Sequence, residues 1–159
     1  MMRKGIVRSM TEKWNVRPAE ADDFSHWLTL WRAYCASLDH SISDEVSNGV
    51  WSRIMTPSEP IWCLLVSHAN GEPQGFVNYV LHPHTWSLRT VCYLEDIFVA
   101  PQTRSRGAGR ALIEKLVALG REEGWRRVYW HTHENNHRAR ALYDRLVERT
   151  DYVRYDIGL

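Results

Sequence analysis

Apolar positions recur along the chain at two periods, and the switches between them mark the elements. Trp27, Leu28, Trp31 and Tyr34 follow helical spacing and predict an amphipathic helix, with Asp22, Asp23 or Ser25 as its cap. A short strand precedes it at "WNVRP". Residues 44–55 predict a second short helix. "IWCLLVSHANGEPQGFVNYVLHP" reads as a hairpin, because two apolar runs flank Asn70-Gly71, a pair suited to a tight turn. "TVCYLEDIFVAP" is a further strand, stopped at Pro101. Leu112, Ile113, Leu116, Val117 and Leu119 then restore a helical stripe, which Gly120 or Gly124 ends. "WRRVYWHTH" predicts a strand, "NNHRARALYDRLVER" a helix and "DYVRYDI" a last strand.

The resulting order, β-α-α-β-β-β-α-β-α-β, predicts one α/β domain with a mixed sheet over residues 13–159, after a flexible tail of residues 1–12. The chain has 159 residues, 44% apolar and 25% charged, enough for a packed core. Its eight tryptophans either fill that core or line a cleft. A net charge of +1 argues against a general nucleic-acid-binding surface. The three cysteines, Cys35, Cys63 and Cys92, form no C-x-x-C pair and read as buried thiols in a reducing compartment. The basic N-terminus holds too short an apolar run for a secretory leader, and no segment approaches a membrane span. A cytoplasmic protein is expected.

Candidate chemistry concentrates in "RSRGAGR", residues 104–110, between a strand and a helix. The first N–H groups of a helix have no partner within it, and with the dipole they form an anion site. Gly107 and Gly109 let a ligand approach the backbone, and Arg104, Arg106 and Arg110 add forked phosphate donors. The Walker pattern is absent, and Leu112 stands where the dinucleotide fingerprint needs its third glycine. The alternative is a capped helix with solvated arginines.

"RSRGAG" matches the R/Q-x-x-G-x-G/A signature of the Gcn-five-related N-acetyltransferases, the GNAT superfamily. The strand "YLEDIFVAP" before it and the amphipathic helix after it also resemble that family, as does the order of elements across residues 14–157. "YLEDIFV" is similar to the polyamine acetyltransferases. "GFVNYVLHPHTW", "VYWHTHENNHRARALY" and "WLTLWRAY" resemble the yeast Hpa group of histone and polyamine acetyltransferases. The resemblance implies the GNAT acyl-CoA N-acyltransferase fold, a mixed central sheet flanked by helices. It implies acetyl-CoA as donor, no metal, and a primary-amine acceptor: a polyamine, a small amine or a protein lysine. The pantetheine arm would lie along Ile97, Phe98 and Val99. The pyrophosphate would rest on the backbone of Ser105, Arg106, Gly107, Ala108, Gly109 and Arg110, with Arg104 opening the motif. Residues from Asn136 to Ala139 would flank the cofactor arm, and Tyr143 would protonate the departing thiolate. Strands four and five would splay near Glu95 and His131.

Transfer to an amine needs a neutral nucleophile. An alkyl ammonium has a pKa near ~10.4, so about a thousandth is neutral at pH 7, a penalty of roughly 4 kcal/mol. A base must accept that proton. Glu95 is the candidate, a role the resemblance also implies. Strand alternation places Tyr93, Glu95, Ile97 and Val99 on one face and Leu94, Asp96 and Phe98 on the other. A bulge would exchange the faces and make Asp96 the fallback. A backbone N–H near Ile97 would stabilise the thioester oxygen. Cys92 reads as core rather than as a nucleophile. His131 and His133, with Glu134 and His137, lack an obvious fourth metal ligand. Asp39, His40, Asp44 and Glu45 lie where family substrate loops run and would attract a cationic amine. One strand follows the last helix where the family commonly has two: either the sheet is one strand short, or a short sixth strand lies in "VERTD", or a neighbouring subunit completes the sheet, and an exposed edge would favour a homodimer. The rival class is a non-catalytic acyl-CoA-binding sensor or interaction module.

Overall fold

The computed structural model describes residues 14–69 and 71–159. The expected tail of residues 1–12 and Asn70 of the expected turn lie outside the described residues. Strand β1 (Trp14–Pro18) leads through a 3-10 turn into α1 (Phe24–Ser37) and α2 (Asp44–Ile54). Three long strands follow, β2 (Ile61–His68), β3 (Pro73–His84) and β4 (Ser87–Val99). Then come α3 (Ala108–Glu122), a short β5 (Arg127–Tyr129) and α4 (His137–Tyr143).

The five strands lie in chain order, β1-β2-β3-β4-β5. Every pairing is antiparallel except β4 with β5, which is parallel and crosses over through α3. The sheet is therefore mixed, as expected.

Each long element forms where local chemistry and packing agree. Asp23 stands at the α1 N-cap, but its carboxylate turns back. It takes two 2.7 Å hydrogen bonds from the Arg17 guanidinium and one of 2.8 Å from the Glu20 N–H. Ser43 caps α2 by accepting from the Val46 N–H at 3.2 Å, with Asp44 and Glu45 in the first turn. Helix α3 stops at Glu122, and Gly124 follows in the left-handed region at φ 70°. Gly120 lies inside the helix, packed under the Trp125 ring.

The sheet separates two cores. On one face Trp27, Trp31 and Trp51 cluster with ring centroids 5.1–5.4 Å from Trp27, against Phe76 and Phe98. On the other, Leu112, Ile113 and Leu116 of α3 cover Leu64, Val66, Val77, Cys92 and Leu94. The tryptophans thus divide: three build one core, Trp14, Trp62, Trp125 and Trp130 pack against the other, and Trp86 stands 84% exposed at the β3–β4 turn. All three cysteines are free and buried. Burial pushes the Cys92 thiol up to about 12, which suits core rather than nucleophile.

The C-terminal third departs from expectation. The strand expected over "WRRVYWHTH" shrinks to three residues, because β5 pairs with β4 only up to Tyr93↔Tyr129. The helix expected to Arg149 ends at Tyr143 and continues as turns, with the Leu146 and Val147 N–H groups both donating to the Tyr143 carbonyl. Arg145, Glu148 and Arg149 are exposed, so little burial extends that helix. The expected last strand does not form, and residues 150–159 hold no regular structure. Alternation alone cannot make a strand, whose backbone bonds need a neighbouring edge.

Candidate active site

The site begins with an irregularity in β4. Asn78 pairs with Asp96 while the next residue, Tyr79, pairs with Leu94, so Glu95 is an extra residue on the β4 side. This bulge corrects the simple alternation. Cys92 and Leu94 face the α3 core, and beyond the bulge Ile97 and Val99 face it too. Phe98 and Asp96 turn the other way, toward α1. Ile97 and Phe98, both expected along the cofactor arm, therefore project from opposite faces.

The bulge gives the two carboxylates different surroundings. Glu95 is exposed at the bulge. Partial burial pushes its carboxyl above the usual range, the Asp96 charge adds to this, and Arg154 partly offsets it. Asp96 is held against α1, accepting from the Asn78 amide at 3.1 Å and from the Tyr34 hydroxyl. Burial raises it as well, and those two hydrogen bonds act against the rise. Asn78 is 1% exposed, and its Oδ1 has no partner among the described residues.

Beyond Tyr93 and Tyr129 the β4–β5 ladder ends. The two parallel strands separate there, so Glu95 stands where the gap opens. The far end of the gap meets the loop before α3. Ser105 (φ 64°) and Gly107 (φ 92°) adopt left-handed conformations that turn the chain sharply into the helix. Gly107 tolerates this because it has no Cβ. The first helical bond, from the Ala111 N–H to the Gly107 carbonyl, leaves the N–H groups of Ala108, Gly109 and Arg110 at the open helix end. The Trp14 indole pins the loop by donating to the Arg106 carbonyl at 2.8 Å. A Cβ on Gly109 would touch Leu142 of α4 at 3.4 Å and Val99 of β4 at 3.8 Å, so helix start, strand end and α4 converge on this spot.

The arginines of the motif differ in what they do. Arg104 donates from Nε to the Val99 carbonyl at 2.9 Å and lies over the Phe98 ring at 5.4 Å. Burial lowers its pKa, and the nearby Arg138 charge adds to this. Arg110 turns along the helix to Glu114 at 2.7 Å. Arg138 lies in the basic run "HRAR" at the α4 start, within residues 136–139 expected to flank the cofactor arm.

Asn136 caps α4, accepting from the Ala139 N–H at 3.3 Å and donating to Thr132 Oγ1 at 3.2 Å. Tyr143 packs edge-on to Trp130 at 5.4 Å, and burial raises its hydroxyl pKa. Next to Glu95 the structure also assembles rings the sequence did not reveal as a group. The rings of Tyr93, Tyr129 and His131 cluster with centroids 5.0–5.9 Å apart, tilted or edge-on to one another, and His82 Nε2 lies 3.0 Å from the Tyr129 hydroxyl. Of the acidic loop residues, Asp44 is engaged by Arg32 at 2.7 Å. Among the described residues no group of three or more His, Cys, Asp or Glu is arranged to hold a metal.

The sequence profile of the acetyltransferase (GNAT) family matches residues 11–147. The D-amino-acid N-acetyltransferase HPA3 of Saccharomyces cerevisiae is 33% identical over 141 residues, 88% of each chain. A thialysine N-epsilon-acetyltransferase of Caenorhabditis elegans is 35% identical over 82 residues, 52% of this chain and 48% of that protein. Among solved structures, AAC(6')-Iy in complex with the bisubstrate analog CoA-S-monomethyl-acetylneamine superposes with a TM-score of 0.78. It is 20% identical, with 92% of this chain and 99% of that chain covered. A probable acetyltransferase superposes at 0.81, with 18% identity over 91% and 97% of the two chains. With the bulged fourth strand, the splayed fifth and the glycine-turned helix start already in place, these likenesses make the chain a member of the GNAT family of acetyltransferases.

Proposed function

We propose that this protein transfers an acetyl group from acetyl-CoA to the primary amine of a small amino compound, by direct attack within a ternary complex. The observation that carries this reading is the β4 bulge, which sets Glu95 at the mouth of the β4–β5 gap. The residues fit an acyl-CoA. The open N–H groups of Ala108, Gly109 and Arg110 and the guanidiniums of Arg104 and Arg138 suit phosphates. The gap along Ile97–Val99 suits an extended arm, with Ser105, Arg106 and Gly107 turning the loop and Asn136 and Ala139 at the α4 start flanking it. The bound donor supplies an activated thioester.

Glu95 accepts the ammonium proton, and its raised pKa makes it a stronger base than an ordinary carboxylate. Asp96 stays behind it, fixed by Asn78 and Tyr34. The Tyr143 hydroxyl, kept protonated by burial, is the proton donor for the leaving thiol. A backbone N–H near Ile97 supports the carbonyl oxygen. The names of the relatives, which act on D-amino acids and thialysine, favour a small acceptor over a protein lysine. Three buried, unpaired thiols favour a cytoplasmic setting. No helix among the described residues is long and apolar enough to cross a membrane.

The test is titration with acetyl-CoA, then thiol release against polyamines, amino acids of both hands, simple diamines and lysine peptides. Binding with release for one class supports the reading and names the acceptor. Binding without release favours a sensor. No binding removes the phosphate-site assignment.

A further inference from the structure

We infer that Trp14 is a positioning residue for the donor: its indole N–H holds the Arg106–Gly107 peptide so that the Gly107 N–H faces the phosphates of acetyl-CoA. The inference rests on the acyl-CoA site proposed above and adds to it a residue from the strand at the opposite edge of the sheet. Three observations carry it. First, Trp14 Nε1 donates to the Arg106 carbonyl at 2.8 Å, across 92 positions of the chain. Second, the indole is itself held in place. Trp14 pairs with His68 in the β1–β2 ladder, its ring centroid lies 4.2 Å from that of His68, and it packs against the α3 core. Third, the backbone on either side of this peptide is unusual. Ser105 at φ 64° and Gly107 at φ 92° are both left-handed, and such a conformation persists at a serine only where its surroundings fix it.

A trans peptide is planar, so its C=O and N–H point in opposite directions. The indole lies close on one side of the loop, where a Cβ on Gly107 would meet Trp14 Nε1 at 3.7 Å. A carbonyl drawn to Trp14 therefore turns the Gly107 N–H away from it, to join those of Ala108, Gly109 and Arg110 at the helix mouth. The reverse arrangement is also open to this backbone. Rotating the peptide plane by half a turn changes only the ψ of Arg106 and the φ of Gly107, and glycine accepts φ of either sign. It would bring the Arg106 oxygen to the helix mouth, where it would repel a phosphate. Glycine permits both arrangements, and the indole selects one. A need to satisfy the carbonyl does not explain the bond, which is exposed, so that water would serve as well. Orientation does explain it. A loop set in place on folding spares the donor the cost of ordering it on binding.

The experiment is calorimetric titration of the full chain with acetyl-CoA. It compares wild type, Trp14→Phe, and a chain carrying β-(3-benzothienyl)alanine in place of Trp14. That isostere has sulfur where the indole has its N–H, so the packing on His68 stays and only the donor is lost; Trp14→Phe gives up ring area as well. Thermal melts check both folds. The expected result is a Kd raised about 2–10-fold by the isostere, the worth of one neutral hydrogen bond, and at least as much by Trp14→Phe. With the best amine of the thiol-release assay, kcat at saturating acetyl-CoA should stay at the wild-type value, because the phosphates are held alike before and during transfer. An isostere Kd less than about twofold above wild type overturns the inference and leaves the proposed function standing, as does a loss confined to kcat. Failure of the wild type itself to bind acetyl-CoA overturns the proposed function, and this inference with it.

Discussion

Replacing Glu95 by Gln tests the reaction most directly. At pH 7 an amine with pKa ~10.4 lies about 3.4 units from half-neutral, a cost of ~4.6 kcal/mol at 1.36 kcal/mol per unit. A positioned base is worth about 10²–10⁴ in rate, or ~2.7–5.5 kcal/mol. The two are comparable, so Glu95 can offset most of the cost. The substitution itself is mild for the fold. Glu95 is exposed at a bulge, and surface changes away from special contacts usually stay within ~0.5 kcal/mol. The melting temperature should therefore hold while kcat/KM at neutral pH falls by about 10²–10⁴. The pH profile adds a sharper criterion. Wild-type activity rises with pH through the raised Glu95 pKa and then flattens, since the carboxylate form is the base. The variant depends on amine already neutral in solution, so its rate keeps rising toward the amine pKa and the deficit narrows. Thiol release followed across pH reads both. A loss below about tenfold, or a deficit that stays constant with pH, refutes Glu95 as the base.

Other consequences follow from single contacts. Tyr143→Phe should lower kcat by about 10²–10⁴ and leave the acetyl-CoA Kd unchanged in a calorimetric titration, because only the proton donor is lost. Unaltered turnover would return Tyr143 to the core it shares with Trp130. Gly120→Val places a Cβ 2.8 Å from Trp125 Cε3, which should cost about 1–3 kcal/mol in denaturant titration; an unchanged midpoint contradicts that packing. The Arg17–Asp23 pair holds the Asp23 carboxyl below its ordinary value, chiefly through the Arg17 hydrogen bond. Its stabilisation is present above the unfolded carboxylate pKa and is lost as pH falls through the lowered folded value. Asp23→Asn should cost about 1.5–3 kcal/mol at neutral pH, and the gap to wild type should close on acidification, as read by melts across pH.

The sequence by itself determined the elements whose evidence is local. Helices α1, α2 and α3 carry periodic stripes, and α2 also carries its own cap in Ser43. Strands β2, β3 and β4 carry apolar runs bounded by turn residues. The glycine-turned helix start was legible for the same reason, since backbone freedom and open N–H groups belong to the segment itself. What only the tertiary structure decided depends on partners distant in the chain. The bulge at Glu95 appears only against the register of Asn78 and Tyr79. Tyr34 reaches Asp96 across 62 positions, and no periodicity announces such a contact. Strand β5 and α4 fell short of their patterns because the sheet splays beyond Tyr93 and too little burial extends the helix. The last alternating segment remained irregular for the most general reason. A strand is a relation between two edges, and a sequence can state only one of them.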